Sequence, residues 1–260
     1  MCIRDSAWTR KLKPYFNNEP NQLLKVIEDS VNLESIAPKV HESFNTEALE
    51  PIFTDLYLSQ GVKYYNLLQN AVQKELKRKL SKEQIQAILW QNFMRVSVAT
   101  RIKTIVDNSR GIATFVIRRT IQQGYTEGMS VQQIKRMLER NVKQRWRDMA
   151  KFRSATIAKT ETGNIANAST YKSAQDADVP MIKRWSAFID DRTRNDHISM
   201  NGTTVGKDEE FILPDGSLML HPSAEGGSAK QVINCRCRAC LLYTSPSPRD
   251  RTRSRMPSSA

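Results

Sequence analysis

From about residue 16 to residue 173, apolar residues recur every three or four positions, and polar residues fill the positions between them. This spacing places the apolar side chains on one face of a helix, so it predicts a succession of amphipathic helices. Segments 81–84 and 130–133 each begin with Ser and end with Gln, a pattern in which the two side chains bind free amides of the first helical turn. We therefore predict that a helix starts at each of these segments.

Four apolar stripes are expected to face the core. The glycines at 124 and 128 are expected to end the second stripe, because glycine favours helix termini. In chain order the stripes consist of Ile85, Ile88, Leu89, Phe93 and Val96; of Ile102, Ile105, Ile112, Val116 and Ile121; of Val131, Ile134, Leu138, Val142 and Trp146; and of Phe152, Ala155, Ala158, Ile165 and Ala168.

The pattern changes near Pro180, where apolar runs become short and are separated by Gly, Asp and Pro. These signals predict short strands at 203–205, 211–213, 218–220 and 231–233, after a short apolar segment at 181–189. The predicted fold class is α+β and predominantly α-helical, with long N-terminal helices followed by a small mixed helix and sheet module. We expect the helical region to span residues 7–129 and the module to span residues 130–239.

The two ends differ from the chain between them. Residues 1–6 can be read back as ATG-TGT-ATA-AGA-GAC-AG, which resembles a transposase end sequence used in DNA sequencing libraries, and residues 240–260 resemble the reverse complement of that design. We therefore interpret 1–6 and 240–260 as translated sequencing adapters and leave them out of the fold prediction. The natural start and stop, and any further C-terminal domain, then lie outside the insert.

The chain has 260 residues, with 40 Lys and Arg against 27 Asp and Glu. Without the adapter-like ends the balance is 35 against 25, so the insert is still basic, and this favours contact with nucleic acid or an acidic protein surface. No run approaches the roughly 18 apolar residues of a membrane helix, and no secretory signal is visible. We expect a soluble protein whose stability comes from an ordinary core, since four cysteines are too few for a disulfide scaffold at this length.

The densest polar cluster is the segment 190–197, Asp-Asp-Arg-Thr-Arg-Asn-Asp-His, and Asn-Cys-Arg-Cys follows at 234–237. If 231–237 is a strand, Cys235 and Cys237 project from the same face. With His197 and either His221 or Asp190, the two thiols have the ligand types of a zinc site. Two buried thiols that pack a small sheet without metal are the alternative, because structural zinc sites usually separate their paired cysteines by two or more residues.

Two interpretations of the polar cluster stay open. In the favoured one Asp190 forms an ion-pair network with Arg192 and Arg194 that pins a turn, while His197 binds backbone. In the other, Asp190, His197, Cys235 and Cys237 form the site of a metal-dependent nuclease-like or other hydrolytic enzyme. No nucleophile elbow, phosphate-binding Gly-rich loop or HExxH motif accompanies them, so we predict that the chain is not an enzyme.

Glu161 and a basic run are two further candidates. Glu161 lies near the stripe formed by Ala158 and Ile165, and we expect it to pair with an arginine of the module. The basic run has Trp146 and Phe152 interleaved and could bind phosphates, although a solvated or protein-docking face fits it equally well. The run consists of Lys143, Arg145, Arg147, Lys151 and Arg153.

The C-terminal half carries a recognisable series of short motifs. Its most specific members are Asp-x-Arg-Thr-Arg-x-x-His at 190–197 and Asn-Cys-Arg-Cys at 234–237. The other members are Ala-Lys-Thr-Glu at 158–161, Asn-Ala at 167–168, Lys-Arg-Trp at 183–185, Asn-Gly at 201–202, Glu-Phe at 210–211 and His-Pro at 221–222. Over about residues 130–238 the chain resembles the phage head morphogenesis domain of the Mu F-like and SPP1-type minor head proteins.

The resemblance implies a minor capsid protein of a tailed bacteriophage or prophage, located in the virion and, during assembly, in the host cytoplasm. It implies the portal protein and other head proteins as partners, and contact with double-stranded DNA is a further expectation. No cofactor is implied beyond the zinc considered above. The residues expected to form the structural polar cluster are Glu161, Trp185, Asp190, Arg192, Thr193, Arg194, His197, Asn234, Cys235 and Cys237.

Overall fold

The structure is a computed structural model of the chain, and it describes residues 3–30, 32–44, 46–76, 95–177 and 180–243. Helices dominate and a small antiparallel sheet module follows them, so the predicted α+β, predominantly helical class is confirmed. The helix start predicted at 81–84 and most of the first stripe lie outside the described residues. The helices are α1 (Ile3–Asp29), α2 (Ile36–Ser43), α3 (Glu50–Leu76), α4 (Arg95–Thr126), α5 (Val131–Asp176), α6 (Asn195–Ser199) and α7 (Ala229–Val232).

The chain forms two compact units. The first consists of Met1–Tyr57 and Trp90–Lys159, and the second of Leu58–Leu89 and Thr160–Ala260. Helix α5 belongs to both, because its first part packs in the helical unit and its last part packs in the unit that contains the sheet.

The start of α5 has the predicted capping box. The amide of Ser130 donates to Gln133 Oε1 at 2.8 Å, and the amide of Gln133 donates to Ser130 Oγ at 3.4 Å. Just before it, Gly128 has φ +65° and ends α4, as predicted, since a left-handed residue there lets the Met129 amide bind the Gly124 carbonyl. Gly124 itself lies inside α4, where a Cβ atom would overlap the side chain of Ile134.

The predicted core stripes are partly confirmed. In α5, Ile134, Leu138, Val142 and Trp146 are buried, but Val131 and Phe152 are exposed by 49% and 72%, so their placement in the core was wrong. In the second half of α4 the buried face is displaced by one residue, to Ala113 and Ile117, and Ile112 and Val116 are half-buried. Because a helical turn has 3.6 residues, two adjacent sets of apolar positions can both match the same spacing, and the sequence does not show which set is buried.

The core of the helical unit encloses a buried carboxylate, Glu19 of α1. Its Oε2 accepts a hydrogen bond from Trp146 Nε1 at 3.0 Å, and its Oε1 accepts one from Ser109 Oγ at 2.9 Å. Arg153 lies 3.6 Å from Glu19 and also donates to Ser109 Oγ. Burial raises the pKa of Glu19, and the charge of Arg153 opposes that rise.

The second unit contains a three-stranded and a two-stranded sheet, both antiparallel. Strand β1 (Met181–Ser186) lies between β2 (Thr204–Gly206) and β5 (Arg238–Tyr243), while β3 (Phe211–Ile212) pairs with β4 (Leu218–Met219). Strand β5 pairs Cys240 with Arg184 and Tyr243 with Met181. These four residues, Cys240 to Tyr243, therefore extend the sheet, although the adapter interpretation assigned them to the flanking sequence.

The strand predicted at 231–233 was wrong. Residues Ala229–Val232 form the short helix α7, and the chain turns at Asn234, which has φ +57°. Apolar runs of two or three residues carry no period, so sequence alone cannot separate a helical turn from a strand there. The other three predicted strands are present: β2 is displaced by one residue, and β3 and β4 are each one residue shorter than predicted.

No helix among the described residues is long and apolar enough to cross a membrane.

Candidate functional site

The two most specific motifs of the sequence meet in one buried cluster of the second unit. His197 comes from α6, and Cys235 and Cys237 come from the segment between α7 and β5. His197 Nδ1 lies 3.7 Å from Cys235 Sγ and 3.3 Å from Cys237 Sγ. All three side chains are at most 4% exposed, and their nitrogen and sulfur atoms lie within 4.8 Å of one another. The strand assumed for 231–237 is absent, yet Cys235 and Cys237 are both buried on either side of exposed Arg236.

A second layer of polar side chains orients His197. Its Nε2 lies 3.0 Å from Gln231 Oε1. The amide nitrogen of Gln231 donates to Asp196 Oδ2 at 2.6 Å and to Asp215 Oδ2 at 2.8 Å. The prediction that His197 binds backbone was therefore wrong, because a buried glutamine occupies that position. No sequence signal distinguished Gln231, and Asp215 resembled an ordinary turn residue of Pro-Asp-Gly.

The pKa values of the two thiols shift in opposite directions. A hydrogen bond from Cys237 lowers the pKa of Cys235 to about 4, with His197 and Ser223 acting in the same direction and burial opposing them. The same shared hydrogen bond, together with burial, raises the pKa of Cys237. The pair is thus suited to carry one negative charge in the absence of a metal.

His221 was expected as a further ligand, but the structure places it elsewhere. Its Nδ1 lies 3.1 Å from the carbonyl oxygen of Pro222, and its ring lies 6.0 Å from that of Tyr171. Among the described residues, the group of side chains able to share an ion contains only His197, Cys235 and Cys237.

Asp190 is bound by Arg236, the residue between the two cysteines. Both guanidinium nitrogens of Arg236 reach the two carboxylate oxygens, and the Arg192 amide and the Thr193 hydroxyl also lie within 3.0 Å of Asp190 Oδ1. The predicted ion pairs of Asp190 with Arg192 and Arg194 are therefore replaced by a single pair with Arg236. That pair is partly exposed rather than buried.

Asp190→Asn is expected to destabilise the module at neutral pH and to have a smaller effect in acid. The hydrogen bonds from Arg236 hold the pKa of Asp190 far below its usual range, so its stabilising contribution is complete above the unfolded-state pKa of about 3.9. That contribution is lost as the pH falls from about 4 through the lower, folded-state pKa. The gap between the melting temperatures of the wild type and the variant should therefore narrow as the pH falls from about 4 to 2.5.

Asp191→Asn is the matched control, because Asp191 is the exposed neighbour of Asp190. It should follow the wild type throughout this range. An equal gap between Asp190→Asn and the wild type at pH 7 and pH 2.5 would contradict the role given to the Arg236 pair.

The other polar residues of the motifs bind backbone and connect segments. Arg194 donates to the carbonyl of Ile233, and the Asn234 amide donates to Thr160 Oγ1 of α5 at 2.9 Å. The left-handed turn at Asn234 is a conformation that asparagine tolerates better than most residues. These contacts hold the segment before Cys235 between α6 and α5.

Helix α5 contributes a buried polar face to the module. Asn167 donates to the carbonyls of Pro222 at 2.9 Å and Cys237 at 3.0 Å, and its Oδ1 accepts from the Ala239 amide at 3.2 Å. Gly163 allows close approach, because a Cβ atom there would lie 3.1 Å from the Cys235 carbonyl. Glu161 is buried on the same helix, 3% exposed.

Lys183 of β1 is a fully buried lysine whose role the sequence did not indicate. Its Nζ donates to the carbonyls of Glu209 at 2.6 Å and Leu220 at 2.8 Å. It also lies over the rings of Tyr171 and Phe211, at 4.8 Å and 5.5 Å from their centroids. Burial lowers the pKa of Lys183 to about 8, against the opposing effect of nearby carboxylates. The side chain thus ties the loops flanking β3 and β4 to the central strand.

Lys183→Met is expected to lower the free energy of unfolding of the module by about 2 kcal/mol, because it leaves two carbonyls without their donor. Arg184→Met is the control, since Arg184 is exposed on the same strand. Urea denaturation followed by circular dichroism measures both variants. Equal midpoints for Lys183→Met and Arg184→Met would show that Lys183 does not hold the loops.

The fold exposes some residues of the basic run and partly buries another. Lys143, Arg145 and Arg147 are exposed, while Arg153 is drawn into the core by Glu19 and Ser109. The side chain of Lys151 lies outside the described part of the chain. Trp146 is buried, so the aromatic side chain between the exposed basic residues is not available for stacking.

Comparison with known proteins relates the segment that contains the cluster to a protein family. The family described as "Phage Mu protein F like protein" matches residues 115–240, a segment that contains the whole cluster. The match over residues 115–240 supports a phage head morphogenesis family. The resemblance of the sequence to it is thereby confirmed.

Three curated relatives share about half of the chain. The chain is 30% identical over 129 residues to "Minor head protein GP7" of Bacillus phage SPP1, which covers 49% of this chain and 39% of that protein. It is 29% identical over 139 residues to "NAD(+)--arginine ADP-ribosyltransferase EFV" of Enterococcus faecalis, covering 51% of this chain and 26% of the relative. It is 28% identical over 128 residues to "Uncharacterized protein YqbB" of Bacillus subtilis, covering 47% and 39%.

The chain therefore matches only a quarter to two fifths of the length of these relatives. No solved structure gave a significant match.

Proposed function

We propose that the chain is a minor head protein of a tailed bacteriophage or prophage that associates with the portal vertex during head assembly. The observation that carries the proposal is the family match over residues 115–240, which includes every residue of the Cys-His cluster and of the Asp190–Arg236 pair. The relative named as a minor head protein supports it. The chain would be located in the virion and, before packaging, in the host cytoplasm.

The geometry of the cluster supports a structural rather than an enzymatic role. The groups that the hydrolase hypothesis requires are bound within the fold: Asp190 by Arg236, and His197 by Gln231 on one side and by two thiols on the other. Cys235 and Cys237 are buried. A general base or nucleophile has to reach its substrate, but His197, Cys235 and Cys237 face the interior and Asp190 is paired with Arg236.

The helical unit offers a surface for a protein partner. Phe115 is 62% exposed and lies with Arg118 and Arg119 along an open groove of about 790 Å³ that also includes Arg110 and Asp107. Exposed aromatic residues beside arginines are typical of protein interfaces. We assign portal docking to this groove.

Co-expression with a portal protein from the same source tests the assignment. Affinity-tagged chain should retain the portal protein, and Phe115→Ala with Arg118→Ala should reduce retention at least tenfold. The control is Arg136→Ala with Arg140→Ala, exposed basic positions of α5 outside that groove. Equal retention by the wild type, the groove variant and the control would show that the groove does not bind the portal protein. If the wild type retains no portal protein, the proposed portal association is wrong.

Contact with double-stranded DNA would use the exposed residues Lys143, Arg145 and Arg147. Neutralising three phosphates predicts affinity that falls with salt, with a slope of log K against log salt near −3. Fluorescence anisotropy with a random duplex measures this slope, and the triple Ala variant should flatten it. An affinity that does not change with salt would show that these basic residues do not bind phosphates, and would favour a role in docking a protein.

Enzymatic activity is the second candidate, because one relative is named as an arginine ADP-ribosyltransferase. Incubation of the full chain with labelled NAD⁺ and host lysate, and separately with supercoiled DNA and divalent metals, should give neither labelled protein nor cleaved DNA. Turnover that disappears with His197→Ala while the fold is intact would replace the structural role with a catalytic one.

A further inference from the structure

The side chains of His197, Cys235 and Cys237 form one buried group of potential metal ligands. Its nitrogen and sulfur donors come from two segments separated by almost forty residues of chain. Buried polar side chains normally find a partner in the fold. Here the three face one another in a space whose other walls include the ring of Trp185, at 5.5 Å from that of His197.

The hydrogen bonds around Gln231 determine which nitrogen of His197 faces the sulfurs as an acceptor. Carboxylates accept hydrogen bonds only, so the amide nitrogen of Gln231 has to face Asp196 and Asp215, and its oxygen has to face His197. His197 Nε2 must then carry the proton that Gln231 Oε1 accepts at 3.0 Å. In the neutral ring, Nδ1 therefore presents its lone pair to Cys235 and Cys237.

Metal-ligating histidines typically have this arrangement. The nitrogen that does not bind metal donates to an oxygen that fixes the tautomer and the ring plane, and that oxygen is itself held by further partners. Gln231, Asp196 and Asp215 form such a series behind His197. A histidine that only filled space in the core would not need two carboxylates behind its hydrogen-bond partner.

The distances fit a tetrahedral ion. Zinc–sulfur bonds of about 2.3 Å and zinc–nitrogen bonds of about 2.0 Å at tetrahedral angles separate the nitrogen from each sulfur by about 3.5 Å. The observed separations from His197 Nδ1 are 3.3 Å and 3.7 Å. Two thiolates and one imidazole are ligands that select zinc over magnesium or calcium.

We propose that His197, Cys235 and Cys237 bind one zinc ion, with a non-protein ligand such as water in the fourth position. The ion would join α6 to the segment that leads into β5, and so would connect the two motifs of the module. The donors are internal, so the ion acts as a structural connection. The proposal does not depend on portal association.

The full chain, expressed in zinc-supplemented medium and dialysed, should contain about one zinc per chain by elemental analysis. A strong chelator should lower its melting temperature, and added Zn²⁺ but not Mg²⁺ should restore it, because metal binding and folding are coupled. Refolding with Co²⁺ in place of zinc should give a sulfur-to-cobalt charge-transfer band, which reports thiolate ligands in the wild-type protein without any substitution.

Variants identify the ligands. Cys235→Ser and Cys237→Ser should each lose most of the zinc, while Cys240→Ser should keep it, since Cys240 lies in β5 outside the cluster. Gln231→Leu should retain the ligands but weaken zinc affinity by about 10–100-fold.

Any of four results would overturn the proposal. The first is metal-free wild-type protein whose melting is unchanged by chelator. The second is a cobalt complex without the charge-transfer band, and the third is equal zinc loss from Cys240→Ser and Cys235→Ser. Recovery of Cys235 and Cys237 as a disulfide from freshly lysed cells would also contradict it, because the oxidised pair cannot supply two thiolates.

Discussion

Trp185→Ala should unfold most of the module under conditions in which the wild type is folded. Trp185 is fully buried in β1, and its ring lies 5.3 Å from Phe211 and 5.5 Å from His197, both edge to face. Removing a buried tryptophan costs about 3–5 kcal/mol, through lost transfer free energy and the cavity left behind. The total stability of a domain is about 5–15 kcal/mol, so this is a large share.

Hydrogen exchange measured by mass spectrometry localises the effect, because the chain contains two units. Peptides covering residues 181–243 should lose protection in Trp185→Ala, while peptides from α1 and from the first part of α5 should keep it. Ile212→Ala is the control, since Ile212 is 68% exposed on β3. Unchanged protection of 181–243 in Trp185→Ala would mean that this ring does not organise the core of the module.

Asn167→Ala has the second large effect, and it arises from hydrogen bonds rather than from volume. Asn167 is 1% exposed and binds the carbonyls of Pro222 and Cys237 and the amide of Ala239. Alanine removes three buried hydrogen bonds, each worth about 1 kcal/mol, so we expect a loss of about 3 kcal/mol. The loss should be seen as a lower urea midpoint with an unchanged slope.

Asn141→Ala is the matched control on the same helix. Asn141 makes one hydrogen bond, to Thr120 Oγ1 at 3.0 Å, and it is only half-buried. Its loss should be about 1 kcal/mol. Similar midpoints for the two variants would contradict the assignment of Asn167 as the residue that fastens β5 and the His221–Pro222 loop to α5.

The sequence predicted those parts of the fold that depend on near neighbours. The capping box at Ser130 and the left-handed glycine at 128 were predicted correctly because both involve residues within one helical turn. The burial of Ile134 and Leu138 also followed from the helical period.

Partners far apart in the chain could not be predicted in the same way. The sequence placed the charges of Asp190 next to Arg192 and Arg194, but the carboxylate binds Arg236, which lies 46 positions away and which only the turn at Asn234 brings into reach. Gln231 has no local signal as the partner of His197, because that role depends on how α7 packs against α6. The partial burial of Arg153 likewise depends on the position of Glu19, in a different helix.

The central claim is that this chain is a component of phage heads at the portal vertex. Its most direct test is to express tagged chain with the portal, scaffolding and major capsid genes of the same source, purify the particles by sedimentation, and count the chain by quantitative mass spectrometry. The account predicts a few copies per particle, retained after a high-salt wash and lost when the portal gene is omitted. Chain that stays at the top of the gradient, or that enters particles equally well without portal, would contradict it.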